Sequence, residues 1–271
     1  MAKYTAKKKR NSSRKANIVH NKYKSTVIGI SALSVIIAIV ILIGVYKKGF
    51  SEFDSFNETG FEKKYPVRGV DVSHHNEYIN WLMLVEDGIS FAFIKSTEGS
   101  GHTDREYEYN YHLAKEVGLK VGAYHFYTFG IDGREQAMHF INNSIVEYGD
   151  IIPAIDVEHS KVNHPVKTKG EYDKMIEELK IMEEVISEFF GARPIIYTNK
   201  DCFKLYIEDN FPNNPLWICD LHDEPSEVYG QWDMWQFSHT GNLRGAVGNI
   251  DLNFYRGSFE EFKLLLLPQS L

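Results

Sequence analysis

The segment IIPAIDVEHS, residues 151–160, ends an apolar run with two carboxylates, Asp156 and Glu158. A buried charge is costly unless it is paired or used. Residues i and i+2 of a strand point to the same side, with Cα atoms about 6.6 Å apart at roughly 3.3 Å per residue. Two carboxyls facing one low-dielectric site resist ionising together. One is then expected to hold its proton near neutral pH while the other stays charged. Glycoside cleavage uses that division: an acid for the leaving oxygen and a negative group near an oxocarbenium-like centre. On spacing alone, a pair of strand-end acids tied to backbone or lysine fits equally well.

Other polar side chains gather at the ends of apolar runs. These are Asp71, Ser73, His74 and His75; Lys95, Thr97 and Glu98; Tyr124 and His125; Tyr197; and Trp217, Asp220, Gln236 and Asp251. Adjacent histidines on an extended segment point opposite ways, so His74 and His75 do not converge on one ion. Neither H-x-H nor H-E-x-x-H occurs, and zinc hydrolases draw on spaced ligands of that kind. No metal and no cofactor is expected. Tyr124, Tyr127, Tyr197, Trp217 and Trp235 fall on predicted strands or just past them. Rings in such places are mostly core, but beside acids they also suit the C–H faces of sugars.

The elements that must position these groups alternate. Strand-like runs at 67–73, 89–96, 119–127, 151–158 and 194–199 are separated by helix-like runs at 79–88, 106–118, 132–149 and 171–191, with a short helix near 201–206. Strand-like runs at 215–220, 232–238 and 247–255 follow without real helices between them. Strand–helix repeats imply a parallel sheet with right-handed crossovers. Eight strands in this length predict an α/β fold closed as a TIM-like barrel with its last helices missing or reduced, function sitting at the C-terminal strand ends. An open doubly wound sheet is the alternative, and no G-x-G-x-x-G or P-loop favours it.

The N-terminus differs in kind. Residues 1–24 hold nine Lys and Arg and no acid. Residues 27–46 then run for twenty residues without a charge, enough helix at 1.5 Å per residue to cross a bilayer core. The run is longer than a signal-peptide core and lacks a small-x-small cleavage site. The expectation is a basic cytoplasmic tail at 1–26, a single transmembrane helix acting as signal anchor at 27–46, a stalk at 47–66 and a catalytic domain at 67–271. The positive-inside rule keeps the N-terminus cytoplasmic and the domain outside. The whole chain carries −7, so without its basic tail it carries −16, which argues against nucleic acid. The two cysteines, Cys202 and Cys219, are too few for a disulfide framework and are expected as free, partly buried thiols.

GVDVSHHNEYINW, FAFIKSTEG, GLKVGAYHFY, PAIDVE, PIIYTN, PLWICD, MWQFS and GNIDLNFYRGS stand in this order between residues 69 and 258. In order and spacing they resemble glycoside hydrolase family 25, the Chalaropsis-type lysozymes or N-acetylmuramidases. The resemblance implies a (β/α)5(β)3 barrel. It also implies cleavage of the β-1,4 bond between N-acetylmuramic acid and N-acetylglucosamine in the glycan strands of peptidoglycan, by a monomer. Carried over by position, Glu158 is the general acid/base. Asp156 stabilises the substrate 2-acetamido group during neighbouring-group participation, and Asp71 and Asp251 complete the acidic set. Tyr124, Tyr197, Trp217 and Gln236 match pocket positions, with Lys95 and Glu98 beside them as substrate-binding candidates. The first loop departs from the pattern at Asn76, Glu77 and Asn80. A catalytically weak peptidoglycan-binding module and a metal-dependent cell-wall glycan hydrolase are the competing readings.

Overall fold

The computed structural model describes residues 35–42, 56, 60–61, 63–226 and 229–268. The chain divides into two units, Met1–Glu52 and Phe53–Leu271. In the first, residues 35–42 are helical; the rest of the expected span at 27–46, and the tail before it, lie outside the described residues. Among the described residues no helix is long and apolar enough to cross a membrane.

The second unit is built on nine strands among the described residues: β1 (Val67–Val72), β2 (Ile89–Glu98), β3 (His102–Thr103), β4 (Lys120–Phe126), β5 (Ala154–Val157), β6 (Ile195–Asn199), β7 (Leu216–Cys219), β8 (Met234–Gly241) and β9 (Ile250–Tyr255). Their order is β1-β9-β8-β7-β6-β5-β4-β2-β3, and β1 also pairs with β2. That extra pairing closes eight strands into a barrel, with β3 a two-residue hairpin partner of β2. The closed barrel replaces the open-sheet alternative. Pairings from β1 through β2, β4, β5, β6 and β7 to β8 are parallel. β9 runs antiparallel to both β8 and β1, a reversal that the sequence pattern did not reveal.

Helices Trp81–Glu86, Tyr107–Glu116, Gly133–Asn143 and Lys169–Phe190 cover the parallel strands. Each start has a local cause where a cap is present. Asn80 accepts from the Met83 N–H, Asp132 from the Glu135 N–H, and Thr168 with Glu171 forms a capping box. Asn80, one of the departures in the first loop, is thus a helix cap. The longest helix buries Met175, Ile176, Leu179, Met182, Val185 and Ile186 on one face, as its 3.6-residue periodicity predicts.

The barrel interior is filled with rings. Phe91, Phe93, Tyr197, Trp217 and Met234 pack there. Phe91 and Phe93 fit because their neighbours are glycines: a Cβ at Gly69 would meet the Phe91 ring at 2.2 Å, and one at Gly122 would meet Phe93 at 2.4 Å. The C-terminal residues plug the bottom. Phe262 packs on Phe91 and Tyr255, and Leu265 and Leu267 join the same cluster.

Among the described residues no long helix covers β8 and β9. Their aromatic outer face, Trp235, Phe237 and Phe254 with Trp232 beside them, is instead covered by residues assigned in the sequence to a stalk. Phe56 packs edge-on against Phe237 and Phe254, Phe61 against Trp235, and Tyr65 against Trp232 and Trp235. Tyr65 also donates to Glu224, which pairs with Lys64. Among the described residues, packing against the barrel therefore reaches back to Phe56, ahead of Val67, where the catalytic domain was expected to start. Its N-terminal segment buries apolar surface that would otherwise face water.

Candidate active site

The acids converge at the C-terminal end of the parallel strands. Asp71 lies one residue before the end of β1, Asp156 one before the end of β5, and Glu158 just past β5. Asp251 is the second residue of β9. It reaches the same end because β9 is reversed: Asp71 and Asp251 are direct register partners. Asp251 thus enters from a strand start, not from a strand end as its place in the sequence suggested.

Gln236 links this pair. Its Nε2 donates to Asp71 Oδ2 at 2.8 Å and to Asp251 Oδ2 at 3.2 Å. Its Oε1 accepts from the Tyr197 hydroxyl at 2.6 Å. Asn253 Nδ2 donates to the same Asp71 oxygen at 2.7 Å, and the Trp217 indole N–H donates to Asn253 Oδ1 at 2.8 Å. Burial pushes the Asp71 carboxyl up, with the facing Asp251 adding to it, while the Asn253 and Gln236 amides oppose. Burial also holds Asp251 up, at about 6. Two carboxyls so placed do not both ionise readily.

Asp156 and Glu158 form the second pair. Asp156 is buried, and its Oδ1 has no hydrogen-bond partner. Burial drives its carboxyl well above the usual range, and the Glu158 charge adds to this. Glu158 is pushed up to about 7, first by burial and then by Asp71, with Lys95 and an Asn199 hydrogen bond pulling the other way. Burial thus raises both carboxyls, so the protein's own groups do not by themselves single out Asp156 as the charged one. The charged Asp156 expected from the sequence needs a donor that the protein does not supply.

Lys95 is the nearby cation. It bonds Glu98 Oε2 at 2.6 Å and lies 4.7 Å from the Phe126 ring centre. The β2–β4 register slips between Lys95 and Thr97, and this bulge brings positions i and i+3 to one side.

The predicted aromatics divide. Tyr124 is half-buried, and the charges of Asp71, Asp156 and Asp251 act on it. Tyr197 and Trp217 form the floor, with ring centres 4.7 Å apart. Trp217 is 2 % exposed; it holds Asn253 instead of offering an open face. Tyr127 and Trp235 belong to the core between sheet and outer cover.

The histidines singled out in the sequence go elsewhere. His125 is buried between Thr97 and Gln136, and burial lowers it to about 3, so it is neutral. His74 binds Asp104 at 2.6 Å and stacks on His75. Ser73 and Asp220 serve local turns. Among the described residues no group of three His, Cys, Asp or Glu is placed to hold a metal ion. Cys202 and Cys219 are free and buried, and burial pushes both thiols up to about 12.

Sequence reasoning missed Asn199, Asn253 and His239. Asn253 had a signal, since it is two residues from Asp251 on the same side of a strand.

Residues 70–246 match the family described as Glycosyl hydrolases family 25. The chain belongs to glycosyl hydrolase family 25. It is accordingly a glycosidase. A family 25 glycosyl hydrolase from Bacillus anthracis has the same fold with a TM-score of 0.69 and 34% identity, over 74% of this chain and 93% of that one. Lysozyme M1 of Streptomyces globisporus is 29% identical over 71% of this chain and 68% of its own length. The N,O-diacetylmuramidase of Chalaropsis sp is 27% identical over 73% of this chain and 98% of its own.

Proposed function

We propose that this family 25 glycosidase hydrolyses peptidoglycan, at the β-1,4 bond between N-acetylmuramic acid and N-acetylglucosamine. Glu158 acts as general acid/base, and Asp156 is the residue that engages the 2-acetamido group. One observation carries the reading: Asp156 Oδ1 is buried without a donor, beside a Glu158 poised at about 7. An acetamido N–H is a donor suited to that oxygen. A hydrogen bond to the anion favours the anion, so substrate stabilises charged Asp156 and leaves Glu158 as the protonated acid. Binding thereby sets the division of charge between the two acids.

The chemistry follows from that state. Glu158 protonates the glycosidic oxygen as the C1–O bond breaks. The acetamido oxygen, turned toward C1 by the Asp156 contact, closes on the anomeric carbon. Glu158, now a carboxylate, takes a proton from water, whose oxygen then adds at C1 and reopens the ring. Tyr124 is the partly buried ring beside the acids and suits a sugar face. Lys95, bonded to Glu98, puts its charge beside Asp156 and Glu158.

The basic tail and the uncharged run at 27–46 support a membrane-anchored enzyme working outside the cytoplasmic membrane. In this reading the anchor holds a monomeric domain near the wall.

Incubation with purified peptidoglycan tests the function. The proposal predicts many new reducing ends per protein molecule, with and without EDTA. Binding without turnover would identify a glycan-binding module, and loss of activity with EDTA would identify a metal-dependent hydrolase.

A further inference from the structure

Gln236 is 1 % exposed, and its carboxamide touches both carboxyls of the Asp71–Asp251 pair. Its usefulness depends on which way that amide points. With the oxygen toward the acids, an acceptor would face two acceptors. The protein sets the direction from the opposite side. Oε1 accepts from the Tyr197 hydroxyl at 2.6 Å and lies 2.8 Å from His239 Nε2. A carboxamide oxygen only accepts, so His239 carries its proton on Nε2 and donates.

His239 is exposed, and a regular strand would send it away from Gln236. Positions i and i+3 of a strand face opposite sides. The β8–β9 register slips between Gln236 and Ser238, and again between Ser238 and Gly241. These bulges turn His239 back over the site. A hydrogen-bond path then runs from an exposed imidazole through a buried amide to two buried acids.

We propose that His239 is a positioning residue: it fixes the Gln236 carboxamide with its NH2 toward Asp71 and Asp251, and its charge biases that pair toward ionisation. This rests on the reading of the pair as part of the glycosidase site. The titratable groups facing His239 are Cys219 from β7, with Sγ 3.5 Å from Nε2, Tyr197 from β6 through Gln236, Asp71 from β1 and Asp251 from β9. The His239 charge lowers the Asp71 carboxyl against the stronger effect of burial. Protonation at the outer nitrogen adds charge without breaking the bond to Gln236.

Two variants in the full chain separate the donor from the charge. H239A removes both, and H239Q keeps an N–H donor alone. The expected result is a several-fold loss of kcat in H239A with KM changed less than twofold. H239Q regains most of that kcat, but the acid limb of its pH profile moves up by about half a pH unit. The 13C titration of the labelled Asp71 and Asp251 carboxyls, read without substrate, moves up in both variants. That readout needs no turnover, so it stands apart from any failure of the peptidoglycan reading. Superimposable carboxyl titrations in parent, H239Q and H239A would overturn the proposal. So would a loss confined to KM, or an H239A enzyme with parental kcat.

Discussion

Asp71 and Asp251 face each other as register partners across β1 and β9, and one amide nitrogen, Gln236 Nε2, bonds both. Like charges directly opposite on a sheet repel. The arrangement is stable only with a shared proton or a nearby positive charge. The reversed β9 makes this contact possible, because it brings the start of one strand to the end of another.

The pH profile should be a narrow bell. Activity falls on the alkaline side as Glu158, held at about 7, loses its proton. It falls on the acid side as the Asp71–Asp251 pair takes up a second proton, with Asp251 held at about 6. Measuring kcat/KM on peptidoglycan against pH reads both limbs. A rate that stays flat from pH 5 to 9 would contradict both assignments.

The same acids cost stability. Their folded pKa values are raised above the unfolded ones. The folded state therefore holds more protons between those values, and stability falls as pH rises through that window. For Glu158, a rise from 4.5 to about 7 sets an upper bound of about 3 kcal/mol, reduced by its partial exposure. E158Q should melt higher than the parent at pH 8 and equally at pH 4. Equal melting temperatures at both would show that the carboxyl carries no such penalty.

Asp156 should respond to substrate. D156N cannot become the anion that accepts the acetamido N–H, so kcat should fall by about 10²-fold or more while the fold is kept. A 13C titration of Asp156 should move down on binding an N-acetylated sugar fragment. An unchanged or higher titration would remove it from the acetamido contact.

The N-terminal cover should matter to folding. Phe56 is fully buried against Phe237 and Phe254, and loss of a buried Phe ring costs roughly 3 kcal/mol. F56A should lower Tm, and a chain starting at Val67 should melt below one starting at Phe53. Thermal melts of the three proteins check this. Equal melting would mean that the cover is dispensable.

Legibility in the sequence followed from how local each signal was. The periodicity of 171–191 gave its helix, and the i, i+2 spacing put Asp156 and Glu158 together. The strand-end rule pointed to Asp71, Lys95 and Gln236 at one end. The direction of β9 was not local: nothing within 247–255 says which way it runs, and only its pairing with β1 and β8 settles it. Bulges hid the side-sharing of Lys95 with Glu98 and of Gln236 with His239, because period-2 reasoning sends i+3 to the wrong side. The residues before Val67 had no clear period, and their burial depends on an aromatic face more than 160 positions later in the chain.

The central claim is that Glu158 supplies the proton for muramidase cleavage. The direct measurement is digestion of one purified peptidoglycan by parent and E158Q, with mass analysis of the reduced products. N-acetylmuramic acid should stand at the new reducing ends made by the parent, with at least about a hundredfold fewer ends from E158Q. N-acetylglucosamine at those ends, or an E158Q enzyme that matches the parent, would contradict it.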